Sequence, residues 1–146
     1  MNHDLVVTAS IEIAAPPAKV WEVLTNPTLI KEYLFGTNTV TSWEVGSPVT
    51  FQGTFGENPP KSYRDKGVVL TCQPGKRLSY SYWTGFSGLA DAPENYAIVT
   101  YSLEITGGQT VFTWDQRGYP DAKRHQHAQA GMPAILAQIK AIAERQ

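Results

Sequence analysis

The stretch VTYSLEITGGQTVFTWDQ, residues 99–116, decides the fold class of this chain. Apolar and polar residues alternate on both sides of the Gly107-Gly108 dipeptide, which favours the tight turn of a β-hairpin. A hairpin pairs its strands antiparallel, so the stretch predicts an antiparallel sheet with one buried face. The residues expected on that face are Val99, Tyr101, Leu103 and Ile105 in the first strand and Phe112, Trp114 and Gln116 in the second.

The same alternation recurs upstream and predicts five further strands, each bounded by turn residues. Inside the longest of them, Gly67 is expected to form a β-bulge. The segment TGFSGLADAPEN, residues 84–95, carries no such pattern, and its glycines and apolar side chains suggest a lid. The five strands are expected at residues 5–13, 40–44, 49–55, 63–72 and 78–82.

Two short helices are predicted after the first strand, because proline favours the first turn of a helix and ends a strand. AKVWEVLTN, residues 18–26, follows Pro16-Pro17. TLIKEYL, residues 28–34, follows Pro27 and is closed by Gly36. Their apolar residues recur at helical spacing, so each helix is expected to bury one side.

A long amphipathic helix is predicted after Gly131, where apolar residues recur at intervals of three and four. Pro133 is expected in its first turn, or as a kink after an earlier turn that begins near Ala122 with Asp121 as cap. The predicted class is therefore α+β, in a single domain over residues 1–146: an antiparallel sheet of about seven strands, two short helices after strand 1 and a long C-terminal helix on one face.

Composition excludes several classes of protein. The chain has 146 residues, of which only 17% are charged, and its net charge is −1, so neither a nucleic-acid binder nor a polybasic membrane anchor is expected. The single cysteine, Cys72, excludes an internal disulfide and multi-cysteine metal motifs. No window of 18 apolar residues predicts membrane insertion, and MNHDLVV lacks the features of a secretory signal, so a cytoplasmic protein without cofactor is expected.

Four strings in this order resemble one family. They are APPAKVWEVLTNPTLIKEYLFG at 15–36, WEVGSPVTFQG at 43–53, YRDKGVVLTCQPGKRLSYSYW at 63–83 and SGLADAPENYAIVTYSL at 87–103. With the predicted order of elements, they resemble the START-like (SRPBCC) superfamily, in the branch named after the activator of heat-shock-protein ATPase homologue. The resemblance covers nearly the whole chain.

The resemblance implies a helix-grip fold, in which a curved sheet grips the C-terminal helix and an apolar cavity lies between them. A small hydrophobic molecule is then the expected partner, which the protein would bind without catalysing a reaction. Two departures bear on this expectation. Family members often carry Gly-Trp where this chain has Gly131-Met132, and the thioether leaves more adaptable space. The extra amino-terminal domain of the eukaryotic co-chaperone is missing, so contact with a chaperone is unsupported.

The candidate ligand-binding residues are the rings and neighbours that alternation and helical spacing turn inward. They line either a cavity or an ordinary filled core. Tyr63 and Tyr96, at strand ends, are candidates for the mouth. Gln116 is either a polar anchor at the pocket end or a cap to loop backbone. The inward set is Phe51, Phe55, Tyr80, Tyr82, Tyr101, Phe112 and Trp114 from strands, with Met132 and Leu136 from the helix.

No catalytic set or metal site emerges from the remaining polar residues. Asp65 faces the pocket only if its strand stays regular there, and it is otherwise a solvent-facing or edge charge. His125 and His127 are two residues apart, which is not the spacing of a zinc helix. Two alternatives to ligand binding stay open. One is a cyclase or dehydratase-like enzyme in which a tyrosine, Asp65 or His125 acts as acid or base. The other is a module that contacts a chaperone. The protein is expected to be a monomer or a homodimer.

Overall fold

The computed structural model describes residues 1–145. Seven strands and three helices follow one another in the predicted order, with two single 3₁₀ turns, Gly85–Ser87 and Pro93–Asn95, inside the segment expected to be a lid. The strands are β1 (Asn2–Ile13), β2 (Asn38–Val40), β3 (Pro48–Phe55), β4 (Lys61–Gln73), β5 (Arg77–Tyr82), β6 (Ala97–Thr106) and β7 (Gln109–Tyr119). The helices are α1 (Pro17–Thr25), α2 (Pro27–Tyr33) and α3 (Ala122–Glu144).

The strands form one antiparallel sheet in the order β1-β7-β6-β5-β4-β3-β2. Thr106 pairs with Gln109 across Gly107 and Gly108, both of which have positive φ, as the hairpin required. The α+β prediction of a seven-stranded curved sheet, two short helices after strand 1 and a long C-terminal helix is confirmed, and the arrangement is of the helix-grip kind.

The strand predicted at 40–44 was wrong in its position. The chain is extended and paired at Asn38–Val40, and it leaves the sheet after Val40. Trp43 has a φ of +61°, a left-handed conformation that cannot continue a strand. Its indole Nε1 donates a hydrogen bond to the carbonyl of Thr25, 2.9 Å away, which anchors this bend to the end of α1. A tertiary contact therefore overrides the local alternation.

The bulge predicted at Gly67 was also misplaced. The pairing of β4 with β5 shifts register between Val69 and Thr71, so Leu70 is the extra residue. Gly67 meets a different requirement. A Cβ at this position would lie 1.6 Å from the carbonyl oxygen of Ser81, so only glycine permits the backbones to approach this closely.

Helix α3 is longer than the expectation of a start at Gly131. It spans 23 residues from Ala122, and Asp121 caps it by accepting a hydrogen bond from the Arg124 amide at 2.8 Å. Pro133 lies inside the helix, so the alternative of an earlier first turn was the correct one. Proline cannot bond to the carbonyl four residues earlier, but that carbonyl belongs to Gln129, an exposed residue that water can reach.

The apolar core lies where α1, α2 and the C-terminal half of α3 cover one end of the inner sheet face. Ile13 of β1, Val20 of α1, Phe112 of β7 and Ile139 of α3 are fully buried there. The hydroxyl of Tyr33 donates to the carbonyl of Val23 at 3.1 Å and so satisfies the phenol inside the core. None of the helices within residues 1–145 is long and apolar enough to cross a membrane.

Candidate functional site

A pocket of about 620 Å³ lies between the inner face of the sheet and α3. Strands β3 to β7 supply one wall, α3 supplies the other, and the turn after α2 closes part of the rim. The sheet contributes Phe51, Tyr63, Asp65, Tyr80, Tyr82, Val99, Trp114, Gln116 and Tyr119. The helix contributes His127, Ala128, Gly131, Met132, Ala134, Ile135 and Gln138, and the turn contributes Leu34, Phe35 and Thr37.

The structure brings seven of the twelve predicted ligand-binding residues to this pocket. Six come from strands and one from α3, because the inward alternation of β3, β4, β5 and β7 continues to the open end of the sheet. The seven are Phe51, Tyr63, Tyr80, Tyr82, Trp114, Gln116 and Met132.

The other five predicted residues lie elsewhere, for separate reasons. Tyr101, Phe112 and Leu136 also point inward, but they are buried in the core beside the pocket. Phe55 is at the end of β3, where its ring is 42% exposed. Tyr96 precedes β6 by one residue and lies with Ile98 on the outer face of the sheet, where its hydroxyl donates to Asp91 at 2.6 Å.

A continuous row of rings crosses the strands beneath the pocket. The ring centroids of Phe51 and Tyr80 are 5.5 Å apart, and those of Tyr80 and Tyr101 are 5.8 Å apart. Tyr101 in turn packs on Trp114 at 4.8 Å. The pairs are tilted or edge-to-face, the arrangements that aromatic quadrupoles favour. One side of this row faces the pocket, and the other side belongs to the core.

The buried phenols of this row stay protonated at neutral pH. The hydroxyls of Tyr80 and Tyr101 are hydrogen-bonded to each other at 2.9 Å. Burial raises the pKa of both phenols well above the ordinary value, since a phenolate would lose its hydration. Tyr80 lines the pocket and can orient a bound molecule through a hydrogen bond, but neither phenol supplies a base near neutrality.

Asp65 is a buried carboxylate in the same wall. It is only 7% exposed, and its Oδ2 accepts a hydrogen bond from the Tyr82 hydroxyl at 2.6 Å. Burial raises the pKa of Tyr82 well above its ordinary value, and the negative charge of Asp65 raises it further, so the phenol remains a donor. The second oxygen, Oδ1, is buried without a hydrogen-bond partner among residues 1–145. Of the two placements considered for Asp65, facing the pocket or facing solvent, the structure therefore shows the first.

Two further polar atoms of pocket-lining residues are buried and unpartnered within the described part of the chain. They are the indole Nε1 of Trp114, which can only donate, and the hydroxyl of Tyr119, which can donate or accept. Burial, aided by the charge of Asp115, raises the pKa of Tyr119 to about 12, so this hydroxyl too is protonated at neutral pH. Most buried polar groups are paired in native proteins, so three such atoms around one pocket are notable.

Exposed rings surround the mouth of the pocket. Phe35, in the turn after α2, is 86% exposed and has a φ of +53°, an uncommon conformation for a bulky residue. Tyr63 is held by a hydrogen bond of 2.5 Å between its hydroxyl and that of Thr37. Phe86, in the segment 84–95, packs edge-on against Phe55 at 5.2 Å. The ring of Phe86 thus sits beside the mouth, and whether its segment moves as a lid stays a prediction.

The histidines of α3 have different surroundings. The Nε2 atom of His125 is 2.8 Å from the carbonyl oxygen of Val6, and its ring packs against Tyr119 at 5.3 Å, so it ties α3 to β1. His127 is exposed and lines the pocket rim. In the part of the chain that the structure describes, no group of three or more His, Cys, Asp or Glu side chains is placed to hold a metal ion.

Sequence reasoning missed most of the pocket wall that comes from α3. His127, Ala128, Gly131, Ala134, Ile135 and Gln138 recur at intervals of three and four, the spacing of one helix face. For His127 and Ala128 this signal is visible only once the helix is known to begin at Ala122, whereas Ala134, Ile135 and Gln138 lie in the stretch already predicted to be helical.

The chain matches one protein family over most of its length. The model of the family described as Activator of Hsp90 ATPase homolog 1-like protein matches residues 14–144. No curated protein matches the chain.

Solved structures share the fold. The solution structure of ChR145 from Cytophaga hutchinsonii has 33% identity and a TM-score of 0.82, over 99% of this chain and 97% of that one. The Aha1 dimer from Colwellia psychrerythraea has 18% identity and a TM-score of 0.71, over 95% and 96% of the two chains. CalU16 from Micromonospora echinospora has 17% identity and a TM-score of 0.71, over 95% and 76%. At the two lower identities the likeness concerns the fold alone.

Proposed function

The chain belongs to the family of Activator of Hsp90 ATPase homolog 1-like proteins, and from that premise we propose that it binds a small apolar or amphipathic molecule in the pocket between the sheet and α3. The observation that carries the proposal is the pocket itself, with a volume of about 620 Å³. Ligand sites are typically clefts of about 300–1,000 Å³ with mostly apolar and aromatic linings and a few polar groups.

The lining supports this proposal in its chemistry as well as its size. Phe51, Tyr82 and Trp114 present rings, and Met132 and Ile135 present flexible or branched apolar side chains. The displacement of water from such a surface by an apolar molecule is favourable and contributes to the free energy of binding. The polar atoms of Asp65 and Gln116 lie within this apolar wall and can orient the molecule.

The proposal includes the setting of the protein. We expect it to work in the cytoplasm, as a monomer or a homodimer, with each chain holding its own pocket between its sheet and its α3. Size-exclusion chromatography with light scattering measures the oligomeric state. Dilution that dissociates a dimer without changing ligand affinity supports a pocket that is complete in one chain.

A neutral fluorescent probe, N-phenyl-1-naphthylamine, tests the proposal. We expect saturable binding with enhanced emission in the wild-type protein. The variant Ala128→Trp places an indole on the pocket wall and should abolish this binding, because Ala128 lines the pocket. The matched control is Ala137→Trp, on the exposed face of the same helix, which should bind as the wild type does. No saturable binding to the wild type, or equal binding to both variants, would contradict the proposal.

Native mass spectrometry of the protein purified from its own host complements the probe. The expected result is a non-covalent adduct of one small molecule per chain, which is lost in the Ala128→Trp variant and retained in the Ala137→Trp variant. An adduct that both variants retain equally would have to bind outside the pocket.

A further inference from the structure

The carboxylate of Asp65 stands in surroundings that leave half of it unpaired. Oδ2 receives the Tyr82 hydroxyl at 2.6 Å, whereas Oδ1 is buried without a partner among residues 1–145. An ionised group that is removed from water is costly unless it is paired and hydrogen-bonded. Neutral phenols and amides soften that cost, but a full opposite charge offsets it best.

Within residues 1–145, no lysine or arginine lines the pocket beside this carboxylate. The neighbouring Lys66 points to the other face of the strand, where it forms an ion pair with Asp91. His127 also lines the pocket, but it lies on the exposed rim of α3. Asp65 is the only carboxylate in the described lining, so a molecule in the pocket meets one net negative charge at this point.

Aromatic rings flank the same carboxylate. Phe51 is the direct cross-strand partner of Asp65, and its ring centroid lies 5.9 Å from that of Tyr82 and 5.5 Å from that of Tyr80. The negative faces of such rings attract organic cations, most strongly where water is excluded. A carboxylate beside the rings of Phe51 and Tyr82, with Tyr80 packed on Phe51, suits an ammonium group that carries an apolar body.

We infer that the pocket recognises a protonated amine with an apolar body, whose ammonium group bonds to Oδ1 of Asp65 against the rings of Phe51, Tyr80 and Tyr82. The inference rests on the proposed function and adds a ligand class to it. Tyr82 holds the carboxylate in place through Oδ2 and thereby leaves Oδ1 to face the ligand. The apolar body extends along the wall that Met132 and Ile135 supply.

Three probes with one body and different heads test the inference: 4-phenylbutylamine, 4-phenylbutan-1-ol and 4-phenylbutyrate. Each is titrated at neutral pH against wild-type protein loaded with N-phenyl-1-naphthylamine. A charge-assisted hydrogen bond at a partly dry site should let the amine displace the probe at roughly tenfold lower concentration than the alcohol. The carboxylate should be the weakest of the three, because it meets Asp65 with like charge.

Two variants and one control assign the preference to Asp65. Asp65→Asn should bring the amine to within about twofold of the alcohol while the neutral probe still binds. Tyr82→Phe keeps the carboxylate but removes the hydroxyl that holds its Oδ2, so it should weaken the preference for the amine without abolishing it. Glu104→Gln removes an exposed carboxylate of β6 and should change nothing. Circular dichroism checks that each variant is folded.

The outcomes separate the two proposals. Equal displacement by amine and alcohol in the wild type overturns the inference, and so does a preference for the amine that survives Asp65→Asn. Binding of the neutral probe with no displacement by any of the three also overturns it, while the proposed function stands. If the neutral probe does not bind the wild type, the proposed function itself fails.

Discussion

The inner face of the sheet has two ends built from the same strands and the same helix, yet one end is filled and the other is hollow. Along β7, three residues of one face pass from Phe112, which is fully buried, through Trp114 to Gln116, which is half-buried at the pocket. Along α3, Ile139 is fully buried and Ile135, one turn earlier, lines the pocket.

The difference comes from what covers each end. Helix α1 contacts β6, β7 and α3, and Val20 and Leu24 fill the space between them. No residue of α1 lines the pocket. At the open end, among the described residues, the cover comes from α3 between His127 and Gln138 and from the rim turns. Alternation therefore decides which face is buried, whereas the cover supplied by distant elements decides whether that face becomes core or pocket.

The largest expected effect comes from shortening one isoleucine at each end. Ile139→Ala should lower the free energy of unfolding by about 2–5 kcal/mol, because it leaves a cavity in packed surroundings. Ile135→Ala, the matched change one turn earlier, should cost only about 1 kcal/mol, because its side chain already borders open space. Urea denaturation measures both values. Equal losses would show that the pocket end is packed as tightly as the core.

Alkaline pH should give the next largest effect. Burial raises the pKa of Tyr80, Tyr82 and Tyr101, so the folded protein holds these protons more tightly than the unfolded chain does. Their contribution is fully present below the ordinary pKa of 10 and is lost as the pH rises through the folded values. The free energy of unfolding should then fall by up to about 1.4 kcal/mol per pH unit for each tyrosine. Urea denaturation between about pH 9 and 11 measures this slope.

Two phenylalanine variants divide that slope between the ends. Tyr101→Phe, on the core side, and Tyr82→Phe, on the pocket side, should each reduce the slope. If water fills the pocket well enough to hydrate a phenolate, Tyr82→Phe would leave the slope unchanged and only Tyr101→Phe would reduce it. That result would sharpen the difference between a dry end and a wet end.

A smaller effect of opposite sign is expected at the pocket carboxylate. Asp65→Asn should raise the free energy of unfolding by about 1 kcal/mol in the ligand-free protein, because it removes a buried charge but keeps an acceptor for Tyr82. Asp115→Asn is the control on the outer face, where Oδ2 accepts a hydrogen bond from Thr8 at 2.7 Å, and it should be neutral or slightly destabilising. Urea denaturation at neutral pH distinguishes them. A clear loss of stability in Asp65→Asn would instead show that the Asp65 carboxylate stabilises the folded protein.

The smallest effect is expected at the cap that begins the pocket half of α3. Asp121→Ala should lower Tm by about 2–5 °C, and Asp121→Asn should restore most of that loss, since asparagine also caps helices. The amide of Arg124 holds the pKa of Asp121 below its ordinary 3.8, and the Arg124 guanidinium lowers it further. The contribution is therefore present above that value and is lost as the pH falls through the lowered one.

Thermal melts at neutral and acid pH measure this effect. The wild type and Asp121→Ala should converge in acid, where the carboxylate of the cap is protonated. A difference that persists there would assign the effect to something other than the cap. Weaker binding of N-phenyl-1-naphthylamine to Asp121→Ala would further show that the first turns of α3 shape the pocket wall.

Much of the fold was legible in the sequence because its signals are local. The hairpin and both short helices were placed correctly because their signals act through the local φ angle. These signals are the Gly107-Gly108 turn and the prolines that begin α1 and α2, Pro17 and Pro27. Trp43 was misread because its left-handed backbone is fixed by a hydrogen bond to Thr25, 18 residues away. The bulge at Leu70 was equally beyond local pattern, because it depends on pairing with β5.

The site was harder to predict than the fold. Alternation predicted that Phe51 and Phe112 lie on the same face of the sheet. It could not show that α1 fills the space above Phe112 and leaves Phe51 beside a pocket. The start of α3 near Ala122 stayed only an alternative, because its sequence, AKRHQHAQA, is too polar for an amphipathic signal. Asp65 could be placed only once the strand was known to stay regular through Gly67, with the bulge further on.

The pairing of β1 with β7 affects the rate at which this protein can fold. Strand β1 lies at the edge of the sheet and, in the part of the chain that the structure describes, pairs with β7 alone. Thr8 of β1 and its hydrogen-bonded partner Asp115 of β7 are 107 residues apart in sequence. Closing so long a loop costs entropy before any contact repays it. The other five strand pairs of the sheet join consecutive strands, so this one pairing adds the long sequence separation that slows folding. Strand β1 can therefore join the sheet only once β7 has formed, and the sheet encloses α3 only when these two strands pair.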